Sequence, residues 1–469
     1  MQLNPLALSL LSAGMSRFSP AGLYADGSQG FWLDASDVST LFQDSAGTTP
    51  VTALGDPVGR WLDKSGRGNH FVQTTSGARP VWGSWPLSAA IAGRVRNLLA
   101  FTEQFDTAYW TKLAATVTAN AGVAPDGSTT AYKLIATESD TAHSVFRRPA
   151  VSASTTYTGT VYVKAAEYSK AYFRSGSATS SAVTFDLSSG SVISVYGSPS
   201  SRSITDVGNG WYRLTITHIT ASSAENWALN IIGYPDGAVI DEVSCNYLGD
   251  GVSGILVWGA QVEQSATATP YQRVGVSSRY DVSEAGQPQV YFVSPDGVDD
   301  FMVSAANVDF SATDRMFVCA GVTKKVEGSG QAIINTATDT TNGRFGVFAP
   351  TGLSANSANF VSRGTTTVEA PAPVGAFAAP ISGVLSLLSE ISPASLTGRV
   401  NGAHQSNSTS SQGSGTYENI LRYIGSTGGL SGFLNANIYQ IIAVGKTPTT
   451  SELNATETFV AQKTKGSLA

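Results

Sequence analysis

Trp211–Ile219 reads Trp-Tyr-Arg-Leu-Thr-Ile-Thr-His-Ile. It places Trp211, Arg213, Thr215 and Thr217 on one face and Tyr212, Leu214 and Ile216 on the other. A period of two over nine residues marks a strand with unlike faces. Residues 156–164 (TYTGTVYVK) alternate in the same way, with Tyr157, Val161 and Val163 among smaller residues. Residues 183–192 read as strand, DLSSG turn and strand, a hairpin in which Gly190 meets the need for a positive φ. The same short runs bounded by Gly, Ser, Asn or Asp recur at 316–322, 343–348, 383–388, 421–424 and 438–444. Helical periodicity is nearly absent, so the pattern predicts an all-β protein of sandwich type.

One helix stands out, at the C-terminus. Thr449 and Glu452 have the spacing of a capping box, Leu453, Phe459 and Val460 supply an apolar stripe, and Lys463 and Lys465 suit the negative end of the dipole. Gly466 fits a stop just past the end. The chain has 469 residues, room for about three average domains or fewer sandwiches. Irregular stretches at 79–96 and 275–288 bracket a block of its own, and the flanking segments read as halves of one domain. The first flank is too short to close a two-sheet core alone. The predicted organisation is an N-terminal docking segment over 1–29, an interrupted domain over 30–95 and 274–469, and an inserted domain over 96–273.

Composition narrows the function. Charged residues make up 13% of the chain, against about 25% on average, and the net charge is −6. No basic surplus exists to neutralise phosphates, which argues against nucleic-acid binding. No apolar run approaches the roughly 18 residues of a spanning helix, so no membrane partner is predicted. Residues 1–18 carry Leu3, Leu6, Leu8, Leu10 and Leu11 but lack the positive start of a secretion signal. Such a stretch is too short to hold a helix by itself and is predicted to order against another chain. Cys245 and Cys319 cannot build a disulfide framework and read as small core residues.

Three sets of residues carry a resemblance. Residues 32–81, from 32–34 (WLD) to 79–81 (RPV) and including 41–44, 55–59 and 63–70 (DKSGRGNH), resemble the opening of laminin-G-like, concanavalin-A-like jelly rolls of tailed-bacteriophage structural proteins. Residues 294–301 (SPDGVDDF), 398–402 (GRVNG), 424–425 and 433–444 are similar to the remainder of that domain. Residues 97–99 (NLL), 125–127 (PDG), 210–213 (GWYR), 258–263 (WGAQVE) and 269–271 (TPY) resemble the carbohydrate-binding-module-like jelly roll common in phage tails and fibres. The resemblance implies two jelly rolls, one inserted in the other, in a non-enzymatic virion protein. It would be assembled in the host cytoplasm and serve as a tail fibre or tail tip that meets host-surface glycans. Homo-oligomerisation is implied, a trimer being favoured, with other virion proteins held through the N-terminal segment. A capsid-decoration or head-fibre protein shares every motif. A polysaccharide depolymerase needs a carboxylate pair in a groove, and a secreted lectin needs a signal peptide.

No catalytic residues are assigned. The chain lacks a phosphate-binding Gly-rich loop, a zinc-spaced Cys/His set and a nucleophile elbow. The Asp63–His70 loop reads as structural, with Gly66 and Gly68 making the turn. For sugar binding the candidates are Trp227, Tyr172 and Tyr168 as stacking rings, with Arg174 and Asn230 as hydroxyl partners. Trp110, Trp211 and Trp258 are assigned to the core. No cofactor is required. Calcium is the one ion the sequence accommodates, at Asp296 and Asp299. Adjacent Asp299 and Asp300 would point to opposite faces of a strand and so could not act as a carboxylate pair.

Overall fold

A computed structural model describes residues 18–87, 95–176, 180–221, 225–226, 228–277, 279–328, 330–338, 341–349, 356–464 and 468. The protein is all-β, made of jelly-roll sandwiches with one C-terminal helix, and no described helix is long and apolar enough to cross a membrane. Met1–Arg94 and Pro288–Ala469 form one compact unit, and Val95–Gln287 forms another.

In the first unit, strands far apart in sequence share ladders. Gly30–Asp34 runs antiparallel to Ala436–Val444, with Phe31 opposite Ala443 and Leu33 opposite Ile441. Val81–Pro86 pairs with Gln289–Ser294, and Phe71–Val72 with Met302–Ser304. An eight-stranded and a nine-stranded sheet result. Phe31, Leu33, Trp61 and Phe71 from the early segment share one core with Val318, Phe345, Leu387 and Ile441. Each such side chain contributes about 1.5–3 kcal/mol on burial, so the early segment gains its stability only by joining the late one.

The Asp63–His70 loop staples the first strand. Asp63 accepts hydrogen bonds from the amides of Trp32 (2.9 Å), Ser65 (2.8 Å) and Asn69 (3.0 Å), while Asn69 Nδ2 donates to the Gly30 carbonyl at 2.7 Å. Gly66 and Gly68 hold φ of +81° and +76°, where a side chain would be strained.

The C-terminal helix, Thr450–Gln462, starts on the capping box: Glu452 N–H donates to Thr449 Oγ1 at 3.2 Å, and Thr449 N–H donates to Glu452 Oε2 at 2.8 Å. Val460 and Ala461 pack with Trp32, Phe317 and Ile442 on the outer side of the eight-stranded sheet. Lys463 serves another purpose than the helix dipole, since its Nζ donates to Asp34 Oδ2 at 2.8 Å. Gly466, Lys465 and the proposed docking leucines of residues 1–17 lie outside the described residues.

The second unit is a sandwich of two six-stranded sheets. The first runs Ser191–Tyr196, Ser180–Asp186, Lys170–Gly176, Ala228–Tyr234, Ser144–Arg147, Thr111–Leu113. The second runs Ser201–Gly208, Trp211–Ile219, Thr156–Ala165, Gly254–Glu263, Ala131–Ala136, Ala115–Gly122. Between them lie Val161, Val163, Leu214, Ile216, Phe173, Ile231 and Val257, the faces that the period-two reading selects. Gly190 takes φ +67° in the hairpin joining Ser180–Asp186 to Ser191–Tyr196. Gln272–Val274 pairs with Val282–Glu284, which carries the unit on to Gln287.

The tryptophans divide. Trp110 joins the sandwich core, its ring 4.7 Å from that of Phe105. Trp211 and Trp258 are also buried, as the sequence reading expects, but in a second hydrophobic cluster with Tyr162 and Tyr271, apart from the one between the sheets. The reason is the alternation itself. Trp211 shares a face with Arg213, opposite to core residues Leu214 and Ile216. Cys245 and Cys319 are buried and unpaired.

Candidate functional site

The outer face of the second sheet carries an aromatic groove of about 500 Å³. Tyr162 lies directly across from Arg213 on one side and Trp258 on the other. The ladder slips between Thr160 and Tyr162, and Gly259 beside the slip has φ +59°. A Cβ at Gly259 would come within 3.0 Å of the Tyr162 ring, so the bulge and its close packing require glycine. Trp258 and Tyr271 have centroids 4.9 Å apart, and Tyr162 lies 5.4 Å from Trp258 and 5.9 Å from Tyr271.

The charges around these rings are mostly engaged already. Arg213 Nη2 donates to Thr160 Oγ1 (3.1 Å) and to the Thr269 carbonyl (2.8 Å), with its guanidinium 5.5 Å from the Tyr162 centroid. Glu103 accepts from Tyr271 Oη at 3.1 Å and faces Arg273 at 3.5 Å. Burial raises the Glu103 carboxyl above its usual range, against the pull of Arg273. Glu284 pairs with Arg96 at 2.8 Å. Ring faces rimmed by ordered polar groups suit a sugar, whose C–H face stacks while its hydroxyls bond. None of these groove residues was a sequence candidate. The legible signal was the shared face of Trp211 and Arg213.

The other sheet brings three of the sequence candidates together. Arg174 sits opposite Asn230 in the ladder, and Asn230 sits opposite Phe146 on its other side. Tyr172, two residues before Arg174, shares its face. The three line one pocket of about 180 Å³. All three are buried, at 0% exposure for Tyr172, 7% for Arg174 and 6% for Asn230. Tyr172 Oη, Arg174 Nε and Asn230 Oδ1 nevertheless have no hydrogen-bond partner among the described residues. Tyr168 is not part of this pocket; it is half-buried, edge-on to Tyr247 at 6.0 Å. Trp227 lies outside the described residues.

In the first unit, Asp296, Asp299 and Asp300 offer carboxylate oxygens within 4.8 Å of one another. The segment is a bend rather than a strand, so the expectation that Asp299 and Asp300 diverge does not hold. Asp296 Oδ1 accepts from the amides of Val298 (2.8 Å) and Asp299 (3.4 Å), and Asp300 Oδ2 from that of Asp296 (3.1 Å), curling the three together. Burial, then the charge of Asp296, pushes the Asp300 carboxyl up to about 7. A set of hard oxygens with surplus negative charge fits Ca²⁺, which takes six to eight oxygens.

The sheets are those of jelly-roll sandwiches. No protein-family model matches the chain, and no curated protein does. Among solved structures it is similar to the CBM40 of the Ruminococcus gnavus IT-sialidase, a carbohydrate-binding module (13% identity, 31% of this chain, 84% of that chain, TM-score 0.26). It is similar to the binding domain of Paraclostridial Mosquitocidal Protein 1 (8%, 37% and 43%, TM-score 0.29). It is likewise similar to domains LG4-5 of the mouse laminin alpha1 chain (9%, 64% and 89%, TM-score 0.24).

Proposed function

We propose that the protein is a non-enzymatic glycan-binding structural protein of a tailed phage particle, displayed on a tail fibre or tail tip. The observation that carries the glycan reading is the groove in which Tyr162, Trp258 and Tyr271 form a floor on the outer side of a sheet whose core is complete without them. The particle assignment rests on the order of the laminin-G-like and carbohydrate-binding-module-like motifs along the sequence. Glu103 and Glu284 in the groove are tied to Arg273 and Arg96, which favours binding over carboxylate catalysis. In the same reading Asp296, Asp299 and Asp300 hold a calcium ion that neutralises the bend.

The test is binding of the purified protein to host envelope polysaccharide, with Tyr162→Ala and Arg213→Gln as variants and antibody labelling of intact particles. Binding that falls about tenfold in both variants, with label at the tail, supports the proposal. Failure of the wild-type protein to bind overturns the glycan reading. Label on the capsid shell replaces the fibre by a decoration protein, and shortening of the polysaccharide on incubation would make the protein a depolymerase.

A further inference from the structure

The pocket around Arg174 has the features of an anion site that the protein itself leaves unfilled. A guanidinium is always charged and carries five donors in a fixed fork. When buried it ordinarily meets a carboxylate or a set of carbonyls, because an unpartnered buried charge is costly. Arg174 is 7% exposed and forms no ion pair among the described residues. The nearby carboxylate of Asp241 is occupied elsewhere, accepting from the amides of Val243 (2.7 Å) and Ser244 (2.8 Å). Arg148 lines the exposed rim as a second cation, its guanidinium 4.9 Å from the Phe146 centroid.

The neighbours of Arg174 define more than charge. Tyr172 Oη stays a donor, because burial raises its phenol far above the usual range. Asn230 Oδ1 is an acceptor without a partner among the described residues. Two donors beside an acceptor match a ligand that carries a carboxylate next to a hydroxyl. Size limits it further. A cavity of about 150 Å³ holds one benzene, so about 180 Å³ takes the carboxylate end of one sugar ring and no chain.

We infer that this pocket binds a single carboxylate-bearing sugar ring, a hexuronate or similar terminal residue, with its carboxylate on Arg174 and Tyr172 and a hydroxyl on Asn230. The site lies on the opposite sheet from the aromatic groove and does not depend on it. Recognition there would be of a chain end, whereas the open groove takes an internal stretch.

The experiment titrates the full chain with sodium glucuronate and sodium galacturonate by calorimetry or ligand-observed NMR, with glucose, acetate and inorganic sulfate as separate arms. At least one uronate should bind about tenfold more tightly than glucose, acetate or sulfate. Tyr172→Phe should weaken it several-fold with no loss of melting temperature, because the hydroxyl it removes bonds to none of the described residues. Asn230→Asp places a carboxylate across the ladder from Arg174. It should abolish uronate binding while raising the melting temperature. Tyr162→Ala in the groove should leave uronate binding unchanged, which separates this site from the proposed function. Three results overturn the inference: no uronate binding by the wild-type chain, equal binding of glucose or sulfate, or full uronate binding by Asn230→Asp.

Discussion

Two buried arginines, Arg422 of the interrupted unit and Arg174 of the inserted unit, have no carboxylate partner among the described residues, and they are handled in opposite ways. Arg422 of the interrupted unit is fully buried, yet its fork is used. Nη1 donates to the Gly343 carbonyl (3.3 Å), and Nη2 to those of Tyr417 (2.8 Å) and Glu418 (3.2 Å). The rings of Phe345 and Phe310 lie 4.5 Å and 5.3 Å from its guanidinium. Only Nε is left over. Arg174 of the inserted unit is nearly as buried, but it opens on a pocket beside a phenol and an amide that also lack partners. Backbone carbonyls make the first cation a structural rivet. Their absence leaves the second as a receptor for an anion. Burial alone therefore does not separate structure from function, whereas hydrogen-bond satisfaction does.

The sharpest test of that contrast is removal of each cation in turn. Arg422→Ala takes the donor from the buried carbonyls of Gly343 and Tyr417, while that of Glu418 keeps the Phe310 amide (3.3 Å), and it leaves a cavity between two rings; it should cost about 3–5 kcal/mol. Calorimetry should show the melting temperature of its unit falling by roughly 10 °C. Arg174→Met removes a desolvated charge with no partner to orphan. Its melting temperature should hold or rise, by about 1 kcal/mol of stability at most. A large drop in Arg174→Met would break the comparison by showing that this cation too is structural.

A second charged cluster sharpens the point with opposite sign. In chelator the raised carboxyl of Asp300 binds a proton in the folded state between its unfolded value near 3.8 and about 7, where the unfolded chain has released it. Stability is therefore higher at pH 5 than at pH 8 and falls as the pH rises through that window. Asp300→Asn should flatten that dependence, measured as the difference in melting temperature between the two pH values. Calcium added at pH 8 should raise the melting temperature of the wild-type protein and have less effect on Asp300→Asn. No response to calcium in either protein would remove the ion from the bend.

The smallest expected effect is in the groove. Tyr162 is half-buried, and its ring lines the groove beside Tyr271 and the buried Trp258. Tyr162→Ala should weaken polysaccharide binding by about 1.4 kcal/mol, or tenfold, with a change of only a few degrees in melting temperature. Loss of folding instead would place this ring with the structural residues.

How far the site was legible follows from the ladder. Tyr172, Arg174 and Asn230 could be nominated from residue type, and strand alternation puts Tyr172 and Arg174 on one face. That Asn230 lies directly across from Arg174 depends on a register set by two strands more than fifty positions apart, which no local pattern states. The groove was missed for a related reason. Trp258 is buried, as a tryptophan in a strand usually is, and the bulge at Gly259 that accompanies its place beside the groove is a feature of pairing.

By itself the sequence determined the strands, through period-two alternation, and the C-terminal cap, through Thr449 and Glu452, because both depend on contacts within a few residues. It also determined the glycine turns at Gly66, Gly68 and Gly190, where φ is a local property. Only the tertiary structure decided which carbonyls enclosed Arg422, while among the described residues none hydrogen-bonds Arg174. It alone curled Asp296, Asp299 and Asp300 into one cluster. Those outcomes depend on long-range register and on how each buried polar group finds, or fails to find, a partner, and that is settled only when distant segments pack.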